Sequence, residues 1–298
     1  MFMHPAVIWE HGGVSLWWLI LCSIAVLNIL AWSYTAAHLR RRRTGMSTDA
    51  YSACRLQLML SAAYVFGCAF RSSLPVFDVP RLCVINTWLS SVVIGRSVAT
   101  IAELCFAAQW ALLLRAAGKV TDSIVTLTAS RLLLPLIAIA EVCSWYSVLT
   151  TSNLGHVVEE SLWALSTALF VASMIAVVPR CSPGQRPRHI VWCVAGAAYV
   201  LYLILVDVPM YWDRWVADEA SGRQYLSIVQ GVLDVSERRI VSHRWDDWKT
   251  EIAWMSLYFS VAVWISISLI HAALQGARRS RDAADRRRAI RGPAGFSA

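Results

Sequence analysis

Seven stretches of the chain stay apolar long enough to cross, or nearly cross, a hydrocarbon core that takes about 20 helical residues. They are residues 13–39, 55–70, 84–114, 124–150, 157–178, 190–208 and 252–274. The polar segments between them differ by side. Those after spans 1, 3 and 5 are short to moderate, with Pro179, Pro183, Gly184 and Pro187 marking the third as a loop. On the other side Pro75 and Pro80 prevent a continuous helix between spans 2 and 3. Spans 6 and 7 are separated by residues 209–250, a segment longer than structureless connections usually run. Within it Tyr225, Leu226, Val229, Val232 and Leu233 form a helical apolar stripe. That stripe predicts an interfacial helix on the bilayer, with a lid over a cavity as the rival reading.

The expected fold is an all-α integral membrane protein, a single bundle of seven transmembrane helices over residues 1–277. A basic tail, 278–298, is expected to be disordered or to lie along anionic headgroups. Composition agrees: 57% hydrophobic residues and a mean hydropathy of +0.53 are too apolar for an ordinary soluble domain. No basic residue precedes the first apolar run, so span 1 reads as retained rather than as a cleaved signal.

Charge adds orientation. With Arg55 at the start of span 2 counted among them, the connections after spans 1, 3 and 5 and the tail hold 17 of the 27 basic residues, including Arg40 to Arg43, against 4 acids. The opposite side holds 8 basic residues and 13 acids when the span ends at Glu159, Glu160, Asp207 and Glu251 are counted with it. By the positive-inside rule the N-terminus is outside and the C-terminus cytoplasmic, in the cytoplasmic membrane. The net charge of +8 is then a topology signal that needs no nucleic-acid partner. The partners implied are the lipid bilayer and an amphiphilic small-molecule substrate. Of the eight cysteines most read as small apolar filler; a Cys68 to Cys83 bridge is conceivable, and no zinc or redox spacing occurs.

Charges inside the spans carry the candidate chemistry, because each is costly at bilayer depth and should find a partner. Arg96 and Glu103 lie in span 3, Arg131 and Glu141 in span 4. In an antiparallel helix pair, partners at one depth have a constant sum of residue numbers, which predicts Arg96 with Glu141 and Arg131 with Glu103. Span 5 opens with "HVVEESLW", where His156, Glu159, Glu160 and Trp163 fall on one helical face. Asp207 ends span 6 at similar depth. His243, Asp246 and Asp247 repeat the His-x-x-acid-acid spacing before span 7, so His156, Glu159, Glu160, His243, Asp246 and Asp247 are candidate ligands for one divalent metal. A helix start that favours acids through its free N–H groups is the plainer account of both clusters. Eleven of the 15 tryptophans fall in the outer half, and Trp145, Tyr146, Trp163 and Trp212 are the candidate substrate-binding aromatics.

The last span has no Schiff-base lysine and the spans hold no facing histidines, so neither retinal nor haem is expected. The leading expectation is a membrane-embedded enzyme with an outward-opening polar pocket. It would do acid/base or metal-assisted chemistry on an apolar or amphiphilic substrate through Arg96, Glu141, His156, Glu160 and Asp207. The rivals are a transporter or sensor binding a cation, proton or small molecule from outside, and an accessory subunit of a membrane complex.

Overall fold

The computed structural model describes residues 5–181, 184 and 186–276. Seven helices are long and apolar enough to cross a membrane, and they are spans 1 to 7: Gly12–Arg41, Thr48–Ser73, Val92–Thr121, Ile124–Thr150, Leu154–Arg180, His189–Ala220 and Trp245–Gly276. The chain is a helical membrane protein. The basic tail, 278–298, lies outside the described residues.

Spans 1 to 6 pack in sequence, each against the next, and span 7 packs on spans 1 and 2. Span 6 is peripheral. Only 6% of its most apolar stretch is buried, against 28–44% in the other spans. Most of its surface is therefore free of contact with the other described residues.

Several boundaries differ from the apolar pattern, and two of the differences have a local cause. Span 3 begins at Val92 rather than residue 84, because residues 84–91 hold Asn86, Thr87, Ser90 and Ser91 and make a turn stabilised by local hydrogen bonds. Span 6 runs on past Pro209 to Ala220. The proline, which has no N–H to give, falls directly after a π-helical turn, Leu203–Asp207, that shifts the hydrogen-bond ladder by one residue. A second π turn, Tyr258–Ala262, interrupts span 7.

A small sheet caps one end of the bundle. Strand β1 (Val76–Phe77) pairs antiparallel with β2 (Leu82–Cys83), which pairs parallel with β3 (Ile240–Val241). The apolar pattern gave no sign of strands this short. Arg81, in the left-handed region at φ 60°, is the clamp of this end. Its guanidinium donates to Asp234 at 2.7 Å, to the Asp78 carbonyl and to the Val148 carbonyl at 2.7 Å, tying the hairpin to two other elements. Cys83 and Cys68 are both buried and free, and burial pushes the Cys83 thiol up.

The helix Ile228–Glu237 begins with a capping box of Ser227 and Gln230 and lies across the ends of spans 3 and 4. It approaches so closely that Gly231 sits on the Leu149 carbonyl, where any side chain would collide. Its Val229, Val232 and Leu233 are exposed and face away from the protein, while Tyr225 and Leu226 of the expected stripe precede the helix and are half-buried. At the opposite, basic end of the spans, Gln57, Ser61, Gln109 and Ser266 knot spans 2, 3 and 7 together with buried, uncharged hydrogen bonds.

Candidate functional site

Span 3 presents Arg96 and Glu103 two turns apart on one face, and both are buried. Span 4 brings Glu141 to the same place, and span 5 brings Glu159. The Arg96 guanidinium is the hub: its Nη2 donates to Glu141 Oε2 at 2.6 Å and to Glu159 Oε1 at 3.2 Å, and it lies 3.6 Å from Glu103 Oε2. Three carboxylates therefore surround one nitrogen, and their oxygens lie within 4.8 Å of one another.

Each carboxylate is also held from outside the hub. Thr100 donates to Glu141 Oε2 at 2.6 Å and is itself bonded by Trp145 Nε1 at 3.1 Å. Tyr258, which opens the π turn of span 7, donates to Glu103 Oε1 at 2.7 Å. His156 Nδ1 lies 2.7 Å from Glu159 Oε2, and its ring packs against Tyr211 at 4.9 Å between centroids. The chain reaches this geometry through a tight turn. Ser147 accepts the His156 N–H at 2.8 Å, and Gly155 sits directly on the Cys143 carbonyl, so span 5 starts close against span 4. Two valences stay open, since Glu141 Oε1 and Arg96 Nε are buried without a hydrogen-bond partner.

This cluster lines one wall of a cavity of 490 Å³. Arg96, Glu103, His156, Glu159, Glu160 and Glu251, with Arg71, Asp78 and Arg214, give the cavity its charged part. Towards the basic end the lining changes to Phe106, Trp110, Phe170, Trp192 and Ile265. Glu160 is buried and lines the cavity without a hydrogen bond or ion pair among the described residues. The side walls come from spans 6 and 7, which touch each other only marginally. Tyr199 of span 6 and Leu257 and Val261 of span 7 line the cavity and are also 40%, 57% and 41% exposed, so the cavity opens sideways between these spans. At the hairpin end of that opening Arg214 stands 3.9 Å from Glu251.

The structure thus gathers Arg96, Glu141, Glu159, His156, Glu160 and Trp163 at one cavity or its hub. Asp207 is buried in the π turn of span 6, with Oδ2 unpartnered, and does not line the cavity. Trp145 supports Glu141 through Thr100 rather than lining the space, while Tyr146 and Trp212, each 47% exposed, lie away from it. His243, Asp246 and Asp247 do not line it either. Asp246 is bound by Lys249 at 2.8 Å and Asp247 by Ser242 at 2.5 Å, each satisfied locally at a helix start. Among the described residues the group with ligand spacing is instead Glu103, Glu141 and Glu159.

The pairing of Arg131 with Glu103 is corrected. Arg131 is exposed, off the buried face defined by Ala129, Leu133, Ile137, Ala140 and Glu141, and Glu103 turns to Arg96 and Tyr258. Depth alone paired them; helical phase separates them. Sequence reasoning missed the aromatic hydroxyls Tyr64, Tyr199, Tyr202, Tyr211 and Tyr258 as cavity lining. It also missed Arg214 and Glu251, whose only signal was their charge near span ends. No protein-family model, no curated protein and no solved structure matches this chain.

Proposed function

We propose that the protein is a membrane-embedded acid/base enzyme acting on an amphiphile that enters from the bilayer between spans 6 and 7. The observation that carries this reading is the cavity's polarity: charged at one part, aromatic and aliphatic at the other, and open sideways along apolar helix surfaces. A ligand with a polar head and an apolar body matches such a space. The orientation proposed is N-terminus outside and C-terminus cytoplasmic, so the charged part faces the outer leaflet. The exposed apolar stripe of helix Ile228–Glu237 would then rest in the outer interface.

In this mechanism Glu159 orients the His156 imidazole through Nδ1, leaving Nε2 to exchange a proton with the head group. Arg96 keeps Glu159 and Glu141 in place and supplies positive charge where anionic character develops. Glu160, free of partners in the cavity, serves as the second acid or base. Glu103, Glu141 and Glu159 share one guanidinium, and Glu159 also meets the His156 imidazole. The triple-carboxylate group also has the donor chemistry of a divalent metal site. Arg96 Nη2 already occupies the position between the three carboxylates, so a metal there would have to displace it.

The test is turnover in bilayer nanodiscs loaded with total membrane lipid, read by mass spectrometry of the lipid fraction. Wild type should generate a product mass that Glu160→Gln, equally folded, does not. Lipid that stays bound and unchanged in both proteins would overturn the enzymatic reading.

One observation favours a transporter as the second reading. Trp110, Phe170, Trp192 and Ile265 line this cavity and also a cleft at the basic end, so a single apolar layer separates the two spaces. Transport predicts that Trp110→Ala speeds passage of a labelled amphiphile between leaflets; an enzyme working from one side predicts no change.

A further inference from the structure

The cleft at the basic end has a volume of 1930 Å³ and a lining unlike that of the charged cavity. Arg41 and Arg42 come to it from span 1, Arg115 and Lys119 from span 3, and Arg180 from the end of span 5. His189 and His271 add two imidazoles, and Asp49 is the sole carboxylate on its walls among the described residues. Arg41, Arg42, Arg115 and Lys119 form no ion pair with a carboxylate among the described residues, and Arg180 is bonded to its own helix at the Ala176 carbonyl. The deep part of the same cleft is apolar, formed by Trp110, Phe170, Trp192 and Ile265.

Basic residues flanking membrane spans are ordinary, and singly they are solvated. These differ in converging from three separate spans around one concavity whose floor is aromatic. A dense set of guanidinium and ammonium donors suits a multiply charged oxyanion, and phosphate offers the most acceptor oxygens for them. A soluble phosphate would leave the aromatic floor unused. A phosphate-headed lipid uses both parts, head among the cations and chain along the floor. We propose that this cleft is a binding site for the phosphate head of an anionic lipid, with the first part of its chain against Trp110, Phe170 and Trp192. The inference stands apart from the proposed enzymatic chemistry, since it uses none of the acid cluster.

The experiment is native mass spectrometry of the full-length protein in detergent, titrated with phosphatidic acid or with phosphatidylcholine of the same chains. Phosphatidic acid should bind roughly a hundredfold more tightly, from about a factor of five for each of about three well-placed basic residues. The double variant Arg115→Gln, Lys119→Gln changes two exposed side chains and so should remain folded and monodisperse. It should weaken phosphatidic acid roughly 25-fold and leave phosphatidylcholine unchanged. Arg238→Gln, at the other end of the molecule and 59% exposed, removes a charge without touching the cleft and should change neither lipid. Equal affinity for the two lipids, or an unaltered phosphatidic acid affinity in the double variant, would overturn the proposal. So would displacement of the lipid by inorganic phosphate at the same concentration, which would make this a soluble-anion site.

Discussion

Two buried polar clusters stand one below the other in the same bundle, and they solve the cost of polarity in hydrocarbon in opposite ways. Near the basic end, Gln109 spends its amide fully: its nitrogen donates to the Gln57 and Ser266 carbonyls at 3.1 and 3.3 Å, and its oxygen accepts from Ser266 at 2.6 Å. Gln57 returns a bond to the Gln109 carbonyl at 3.1 Å. No charge is involved, and of the side-chain polar atoms of Gln57, Ser61, Gln109 and Ser266 only Gln57 Oε1, at the edge of the basic-end cleft, lacks a partner. The cluster around Arg96 gathers three carboxylates on one cation, leaves a carboxylate oxygen and a guanidinium nitrogen unpartnered, and borders a cavity. Neutral polarity with nearly every atom paired holds helices together. Charge crowded on one cation beside a cavity is what chemistry or ligand binding requires.

The comparison is broken most severely by Arg96→Leu. Glu141, Glu159 and Glu103 would lose their common counter-charge in a buried site, and breaking such a network costs about 3–5 kcal/mol. Thermal unfolding in detergent should show a large drop or no folded protein at all. Arg96→Leu combined with Glu141→Leu should regain much of that stability, since an apolar pair can replace a buried ion pair, while lipid turnover stays absent. A double variant no more stable than the single one would mean that Glu159 and Glu103, not Glu141, dominate the network.

Gln109→Leu attacks the other cluster. It removes bonds that link spans 2, 3 and 7, and interhelical hydrogen bonds in membranes are individually modest, so a loss of about 1–2 kcal/mol is expected in the same unfolding measurement. Turnover or ligand binding in the cavity should be unchanged. If Gln109→Leu abolished activity at near-native stability, the division between a structural and a functional cluster would fail.

How far this division was legible in the sequence follows from what each residue's neighbours encode. Arg96 and Glu141 are rare charges in apolar helices, and the antiparallel depth rule brings them together because two consecutive spans with a short turn leave little freedom in register. The face of His156, Glu159 and Glu160 is readable from period alone. What depth could not supply was helical phase, which turns Arg131 outward and leaves Glu103 to Arg96. The part played by spans 6 and 7 was less visible still. Tyrosines in a membrane helix read equally well as an interfacial belt or as cavity lining, and the two π turns that re-aim Tyr258 and bury Asp207 have no pattern in the sequence. The hairpin was hidden because its strands are two residues long, too short for an alternation to register.

The smallest effect is expected at the rim, where Arg214 and Glu251 face each other across the gap between spans 6 and 7. Their separation of 3.9 Å and the 30% exposure of the arginine side chain make this a weak pair, worth under about 1 kcal/mol. Arg214→Gln should therefore leave the unfolding temperature almost where it was. Its consequence should appear in rate instead. The pair is the sole ion pair linking spans 6 and 7 among the described residues, at the hairpin end of an otherwise loosely closed seam. Loosening it should raise the rate at which a fluorescent amphiphile enters and leaves the cavity, followed by quenching of tryptophans such as Trp163 and Trp254 that line it. The equilibrium affinity should change little, because a group at the rim alters both rates together. An affinity that falls with Arg214→Gln while the entry rate stays fixed would place this arginine among the groups that hold the ligand, and would move the head-group end of the cavity from Arg96 outward to the rim.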